Sequence, residues 1–157
     1  GLGDVYKRQD KNLNIIDEGP NLVINQPDEV LNSMDQWNTN HHNNSGLTQK
    51  VRESSITESI AEKQTIDFLS KYVPKGVAPL CGNTICQDRR FLARCMPQLE
   101  SFCHYRSIDV TSIRELGKRW YFEDIDNFQK NSNHRALDDI RDSIEELRYY
   151  KKTIFKL

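Results

Sequence analysis

Residues 77–110 have the sequence VAPLCGNTICQDRRFLARCMPQLESFCHYRSIDV, and this stretch decides the fold class. Residues 77–80 are short and apolar, which is typical of a buried strand. Residues 81–84 then form a loop, and Asp88 opens a helix that the following proline closes. Residues 106–110 are expected to be another strand. Strands that alternate with helices predict an α/β layered domain.

Upstream of this stretch, residues 12–26 contain two short apolar runs. The runs are residues 15–16 and 22–24, and the dipeptide Gly19-Pro20 separates them. This pattern predicts a strand, a turn and a second strand.

Two capping-box sequences predict helices in the next part of the chain. Ser33 and Gln36 form the first, and the short helix after them carries Trp37 and His41 on one face. Ser55 begins a second, longer helix. The apolar stripe of that helix consists of Ala61, Thr65, Phe68, Leu69 and Tyr72.

The C-terminal part contains two more helical patterns. Ser112 caps a helix that runs to Trp120 or Tyr121. A polar loop, residues 123–133, separates it from a long amphipathic helix near the end of the chain. The apolar positions of that last helix are Leu137, Ile140, Ile144 and Leu147.

Composition narrows the class of protein. The 157 residues are 36% hydrophobic and 29% charged, which suits one globular domain. The 22 basic and 23 acidic side chains leave a formal charge of -1. Proteins that bind long nucleic acids by neutralising many phosphates carry a large basic excess, so any nucleic-acid ligand should be short. No apolar run approaches the ~20 residues that span a bilayer, so we expect a soluble protein without a membrane partner.

The four cysteines lie close together in the sequence. They are Cys81, Cys86, Cys95 and Cys103, and His104 follows the last. Their gaps of four, eight and seven residues match no paired C-x-x-C pattern, which disfavours a zinc site. The pattern favours reduced thiols that are buried as small apolar side chains.

Several acidic residues and one histidine are candidates for chemistry. Asp88 follows a predicted strand, and His134 with Asp138 and Asp139 lies where a polar loop enters the last helix. Strand and helix ends are where α/β folds gather metal-binding and catalytic groups, and a histidine there could be a general base. Each residue alone also fits a plainer interpretation, as a charge that favours a helix dipole or as a surface group.

Four sequence blocks, taken together, resemble one family. They are NTICQDRRFL at 83–92, MPQL at 96–99, HYRSIDV at 104–110 and HRALDDI at 134–140. These blocks closely resemble oligoribonucleases, which are histidine-containing DEDD 3′→5′ exonucleases, and the resemblance covers roughly residues 10–157. It implies an α/β, ribonuclease-H-like fold, with a layered sheet and helices on both faces.

The resemblance also implies roles for individual residues. Asp88 and Asp139 match ligands of two catalytic Mg²⁺ or Mn²⁺ ions, and the His-x-x-x-x-Asp spacing of the family selects Asp139 rather than Asp138. His134 matches the general base. The implied activity is the degradation of short single-stranded RNA or DNA oligonucleotides to 5′ mononucleotides.

Substrate-binding residues are implied in the same way. Trp37 and His41 resemble residues that contact the substrate bases. Thr84, Tyr105 and Arg106 resemble a cap on the 5′ phosphate of a dinucleotide, and Tyr105 would come from the other subunit of a homodimer. A cap of this kind would select substrates by length.

The N-terminal part departs from the family pattern. The family's Asp-x-Glu on the first strand supplies two metal ligands, and this sequence has none near its start. Residues 1–9 are polar and resemble nothing in the family, so we expect a truncation-derived or unrelated segment. Residues 10–157 would then be an exonuclease domain without its first strands, with little or no nuclease activity.

Two other functions remain open at this stage. One is a pseudo-nuclease that binds short RNA without cutting it, and the other is a module that only dimerises. The sequence of residues 150–155 and the frequent cysteines resemble eukaryotic members, which implies a mitochondrial location, with the cytoplasm as the alternative.

Overall fold

The computed structural model describes residues 3–121, 128 and 136–155. Strand β1 (Gly3–Gln9) pairs in antiparallel fashion with strand β2 (Ile15–Val23). The expected strand, turn and strand is therefore wrong, because β2 runs without a break through Gly19-Pro20. The ladder shifts register at this dipeptide, and a proline without an N–H group is tolerated at such an irregularity.

Four helices follow β2. They are α1 (Asp28–Asn32), α2 (Gln36–Asn44), α3 (Leu47–Glu53) and α4 (Glu58–Ser70). The sequence predicted only the second and the fourth. The first predicted cap is wrong, because Asp35, not Ser33, accepts the hydrogen bond from the N–H group of Asn38 at 2.8 Å. Ser33 instead ends α1 and donates to the carbonyl of Val30.

Helix α4 has most of the predicted stripe and a different cap, but Tyr72 lies beyond the end of the helix and is exposed. Ala61, Thr65 and Phe68 are buried. Thr57 is the cap, since its hydroxyl accepts from the N–H group of Ile60 at 3.2 Å, and Ser55 lies outside the helix.

The central unit is a strand, two helices and a parallel strand. It consists of β3 (Pro79–Gly82), α5 (Ile85–Cys95), α6 (Pro97–Phe102) and β4 (His104–Asp109). A strand, a helix and a second strand follow one another as predicted, but each strand begins two residues away from its expected start, and α5 begins at Ile85 instead of Asp88. Pro97 separates two helices, because it stops α5 and occupies the first turn of α6.

Two helices complete the described part of the chain, α7 (Val110–Trp120) and α8 (Ala136–Thr153). Asp109 caps α7 by accepting from the N–H group of Thr111, so the predicted cap at Ser112 is wrong. The end of α7 at Trp120 and the amphipathic α8 are confirmed. Most of the predicted polar loop lies outside the described residues.

The core lies between α4, α5 and α6. Its fully or nearly buried members are Ile24, Ala61, Leu92, Met96 and Leu99. A smaller cluster joins Val110 to Tyr150, which packs α7 against α8. The described strands form two separate two-stranded sheets, β1-β2 and β3-β4, instead of one layered sheet. The described part of the chain is therefore mixed α/β with helices dominant.

The structure also tests the expected burial of the cysteines. All four cysteines are free, but Cys81 and Cys86 are exposed and the other two are half-buried, so the expected burial is wrong. Cys81 is exposed because side chains alternate between the two faces of β3. No helix within the described ranges is long and apolar enough to cross a membrane.

The cap of α4 gives a direct test. Thr57→Ala removes the acceptor for an N–H group of the first turn, and we expect it to lower the free energy of unfolding by about 1 kcal/mol. Ser55→Ala is the matched control and should change stability much less. Urea unfolding of both variants measures the difference, and an equal loss in the two would contradict the assignment.

Candidate active site

Asp88 lies in the first turn of α5, just after the end of β3. The residue is exposed, yet partial burial of its carboxyl group raises its pKa above the ordinary aspartate value. The negative charge of Asp109 raises this pKa further. A carboxylate that is destabilised in this way gains from a nearby cation.

The turn before α5 is tightly fastened to the start of α7. Thr84 has a left-handed backbone (φ 51°, ψ 40°), which is unfavourable for a β-branched residue. Its N–H group donates at 2.9 Å to the carboxylate of Asp109 and also lies 2.9 Å from the hydroxyl of Thr111. These contacts hold the conformation that places Asp88 one helical turn beyond Thr84.

The same turn is fastened to α8 by Asn83. The Asn83 side-chain amide donates to a carboxylate oxygen of Glu146 at 3.0 Å. The Ser143 hydroxyl lies within hydrogen-bond distance of both the Asn83 side-chain oxygen and the Asp139 carbonyl. Asp139 is therefore one helical turn away from the point where α8 contacts the start of α5.

Glu146 and Tyr150 form the buried end of this network. Both are fully buried, and the Tyr150 hydroxyl donates to the second carboxylate oxygen of Glu146 at 2.7 Å. Burial raises the pKa of Tyr150, and its hydrogen bond to Glu146 raises it further, so the hydroxyl keeps the proton that it donates.

Asp138 and Asp139 are neighbours with different surroundings. Asp139 is exposed, whereas Asp138 is half-buried and lies 3.9 Å from the guanidinium of Arg141. His134, the candidate general base, lies outside the described residues. The structure thus presents Asp139 as the freer carboxylate of the pair.

The fit of these groups to a metal ion can be judged by donor type and number. Asp88 and Asp139 are carboxylates, the ligands that Mg²⁺ and Mn²⁺ prefer. Within the described ranges, no three His, Cys, Asp or Glu side chains lie close enough to hold a metal ion. The donor type fits a divalent cation, but the described residues do not complete a site by themselves.

Tyr105 and Arg106 lie on β4 and are exposed, Tyr105 by 74%. The Tyr105 ring stacks on His104 at 4.4 Å between ring centroids, and the Arg106 guanidinium lies 5.2 Å from the same ring. Thr84 lies beyond the other end of this strand, where Gly82 pairs with Asp109. Four residues of strand, at ~3.3 Å each, separate Tyr105 from Asp109 by about 13 Å.

The chain was also compared with known proteins. The exonuclease family model, RNase T, matches residues 7–147. The oligoribonuclease of Vibrio campbellii is 55% identical over 148 residues, which are 94% of this chain and 82% of that protein. The Pseudomonas fluorescens oligoribonuclease is 56% identical over 147 residues, which are 94% of this chain and 82% of the relative. For the Acinetobacter baylyi oligoribonuclease the identity is 53% over 146 residues, covering 93% and 80%.

The chain belongs to the oligoribonuclease family. The resemblance inferred from the four sequence blocks is thereby confirmed. The three relatives named above are bacterial, and the mitochondrial location stays a prediction.

Two expected substrate contacts of this family member stay predictions. Trp37 is 66% exposed on α2, and α2 packs against α3. The side chain of His41 lies outside the described residues. A largely exposed tryptophan is compatible with the expected role of stacking on a base.

Sequence reasoning missed two structural residues of the oligoribonuclease site. Glu146 lies four residues before Tyr150, so the two face each other on α8, but no sequence pattern predicts that a glutamate is buried. Arg89 is within the NTICQDRRFL block and bonds to the start of β4. Its neighbour Arg90 is equally basic, and only the fold distinguishes the two.

The raised pKa of Asp88 predicts an effect of unusual sign. Because the folded state holds the Asp88 proton more tightly than the unfolded state, ionisation at neutral pH costs stability. We expect Asp88→Asn to melt at the wild-type temperature or higher at pH 7. This cost is absent below pH 3.8 and grows as pH rises through the raised pKa, so the stability of the wild type relative to Asp88→Asn should fall over that interval.

Asp35→Ala is a control for which the opposite change in stability is expected. Hydrogen bonds from Asn38 hold the pKa of Asp35 below its ordinary value, so its stabilising effect is present above pH 3.8 and is lost as pH falls through the lowered pKa. This variant should melt below the wild type at pH 7. A clear loss of stability in Asp88→Asn would show that the carboxylate is structural.

Proposed function

We propose that this protein is a 3′→5′ exoribonuclease that degrades short oligonucleotides to 5′ mononucleotides. One observation carries the proposal. The exposed carboxylates of Asp88 and Asp139 lie on two helices that Asn83 and Ser143 join near the end of β3. The relatives named above are called oligoribonucleases, which agrees with this chemistry.

The proposed cofactors are two Mg²⁺ or Mn²⁺ ions. Asp88 and Asp139 would hold them through carboxylate oxygens, together with the Asp-x-Glu pair of the complete family site. Such ions, when bound, lower the pKa of water and stabilise the charge on a leaving oxygen. His134 would accept the proton of the attacking water, because an imidazole with an ordinary pKa of ~6.5 is largely unprotonated at neutral pH.

The proposed substrate cap consists of Thr84, Tyr105 and Arg106. A hydroxyl pair and a guanidinium suit a terminal phosphate, which bears charge and three acceptor oxygens. The separation of about 13 Å between the two ends of β4 supports a cap in which Tyr105 comes from a second subunit. A formal charge of -1 is compatible with a substrate that has only a few phosphates.

A second proposal concerns the 157-residue chain by itself. No Asp-x-Glu or Glu-x-Glu occurs anywhere in the sequence, so the pair of carboxylates that the family places on its first strand is absent. Mg²⁺ gives up its water reluctantly and needs charged ligands to be held. We therefore propose that this chain binds short RNA better than it cuts it.

A cleavage assay tests both proposals. A 5′-phosphorylated diribonucleotide is incubated with Mg²⁺ or Mn²⁺ and either this chain or a chain extended by a family-like first motif. We expect 5′ mononucleotides from the extended chain and little product from the chain as it stands. Comparable cleavage by the shorter chain, abolished by His134→Ala, would show that the first motif is dispensable.

The neighbouring Asp138 is the matched control for the assignment of Asp139 as a metal ligand. In the extended chain, Asp139→Asn should lower kcat at least about a hundredfold, because removing a metal ligand removes the stabilisation of developing charge. Asp138→Asn should change kcat only a few-fold, since that carboxylate lies near Arg141. Equal losses in kcat would refute the choice between them.

Substitution of Tyr105 tests both the proposed phosphate cap and the proposed homodimer. Tyr105→Ala should leave the melting temperature nearly unchanged, because the side chain is exposed, and should slow dinucleotide turnover far more than turnover of a long strand. Sedimentation should show a homodimer. An active monomer, or equal rates on short and long RNA, would exclude the proposed cap.

A further inference from the structure

The Arg89 guanidinium fastens the start of β4 to α5. It donates to the His104 carbonyl at 2.6 Å, to the Tyr105 carbonyl at 2.7 Å and to the Ser107 hydroxyl at 2.9 Å. The remaining nitrogen, Nε, donates to the carboxylate of Glu100 at 3.0 Å. One rigid, planar group thus bonds three residues of the strand, and the ion pair with Glu100 fixes its orientation.

The surroundings of Arg89 make these bonds strong. Its side chain is 18% exposed and the Glu100 side chain 31%, so the ion pair is only partly screened by water. The carbonyls of His104 and Tyr105 accept charge-assisted hydrogen bonds, which are shorter and stronger than neutral ones.

The pairing of β4 with β3 explains why this support is needed. Pro79 pairs with His104, but the next residue of β3, Leu80, pairs with Ser107. Residues 105–106 therefore fall in a register shift and have no partner residue on β3. The backbone at Tyr105 is held by Arg89 at the point where the ladder does not hold it.

The two residues in this shift are the exposed pair of the proposed cap. The Tyr105 ring is mostly in solvent, so its place depends on the backbone that carries it. The Arg106 N–H group donates to Nδ1 of His104 at 3.0 Å, and the Arg106 guanidinium lies beside the Tyr105 ring. Asp88 immediately precedes Arg89, so one turn of α5 carries a proposed metal ligand and also supports Arg106 and the Tyr105 that would enter the site of the second subunit.

We propose that Arg89 is a positioning residue that holds Tyr105 and Arg106 in the geometry that binds a terminal 5′ phosphate. The inference rests on the proposed function, since it deepens the account of the cap. Four of the five N–H donors of Arg89 are engaged by Glu100 and by β4, so the role we assign to it is to position the cap and not to contact the substrate. Its loss should weaken selection for a 5′ phosphate without weakening the other contacts with the nucleotides.

Binding measurements on the chain as it stands test this without requiring cleavage. The probes are diadenylate with a 5′ phosphate and diadenylate with a 5′ hydroxyl, titrated calorimetrically in the presence of Ca²⁺. The measured quantity is the ratio of the two dissociation constants. We expect the wild type to prefer the phosphorylated probe and Arg89→Gln to reduce that preference at least about tenfold.

Two variants control for charge and for folding. Arg90→Gln removes the same charge from the next residue, which is exposed and bonds to Gln87, and should leave the ratio unchanged. Arg89→Lys should restore part of the ratio, because an ammonium can still donate to a carbonyl. If Arg89→Gln does not fold, Glu100→Gln serves instead, since it removes the ionic partner of the guanidinium and should reduce the ratio by a smaller factor.

Each other result overturns the inference. If Arg89→Gln weakens both probes equally, Arg89 is merely structural, and an unchanged ratio excludes a positioning role. If Glu100→Gln has to be used, an unchanged ratio in that variant has the same meaning. If Arg90→Gln also loses the preference for the phosphorylated probe, the effect of Arg89→Gln comes from the change in net charge and not from the position of Arg89. If the wild type binds both probes equally, the proposed cap is wrong. If the wild type binds neither probe, the proposed function is wrong as well.

Discussion

The side chain of Asn83 is the contact on which the candidate site depends. It donates to buried Glu146 and accepts from Ser143, so it holds α8 against the turn that begins α5. Glu146 is fully buried, and a buried carboxylate that loses a donor costs about 1–3 kcal/mol or more. That penalty opposes any movement of α8 relative to α5. The separation of Asp88 and Asp139 is controlled by the same hydrogen bonds.

The parallel pairing of β3 and β4 determines which groups meet. Both strands end at the same edge, where the turn at Thr84 and the cap residue Asp109 lie side by side. In α/β folds this edge gathers functional groups from separate parts of the chain. Here it brings together the starts of α5 and α7, and Asn83 adds α8. The carboxylate of Asp109 caps α7 and also raises the pKa of Asp88.

The opposite end of β4 has a different kind of support. At Tyr105 and Arg106 the strand loses its register with β3, and the guanidinium of Arg89 replaces the missing ladder contacts. The two ends of β4 are joined by α5, which carries Asp88 towards one end and Arg89 towards the other. One helix therefore carries a proposed metal ligand and supports two proposed cap residues, Arg106 for its own site and Tyr105 for the site of the second subunit. Neither end depends on the β1-β2 sheet for the contacts described above.

The sequence alone was sufficient to predict the family, the strand–helix–strand unit and the helices that have long apolar stripes, such as α4 and α8. These signals are local, because a helical stripe repeats within one element and each motif lies within ten residues. Cap positions were not predictable, since Thr57 competes with Ser55 for the same role. The burial of Glu146 and the choice of Arg89 over Arg90 were not predictable either. Glu146 and Arg89 depend on partners that lie 63 and 11 residues away in the chain, respectively, so only the tertiary structure decides their roles.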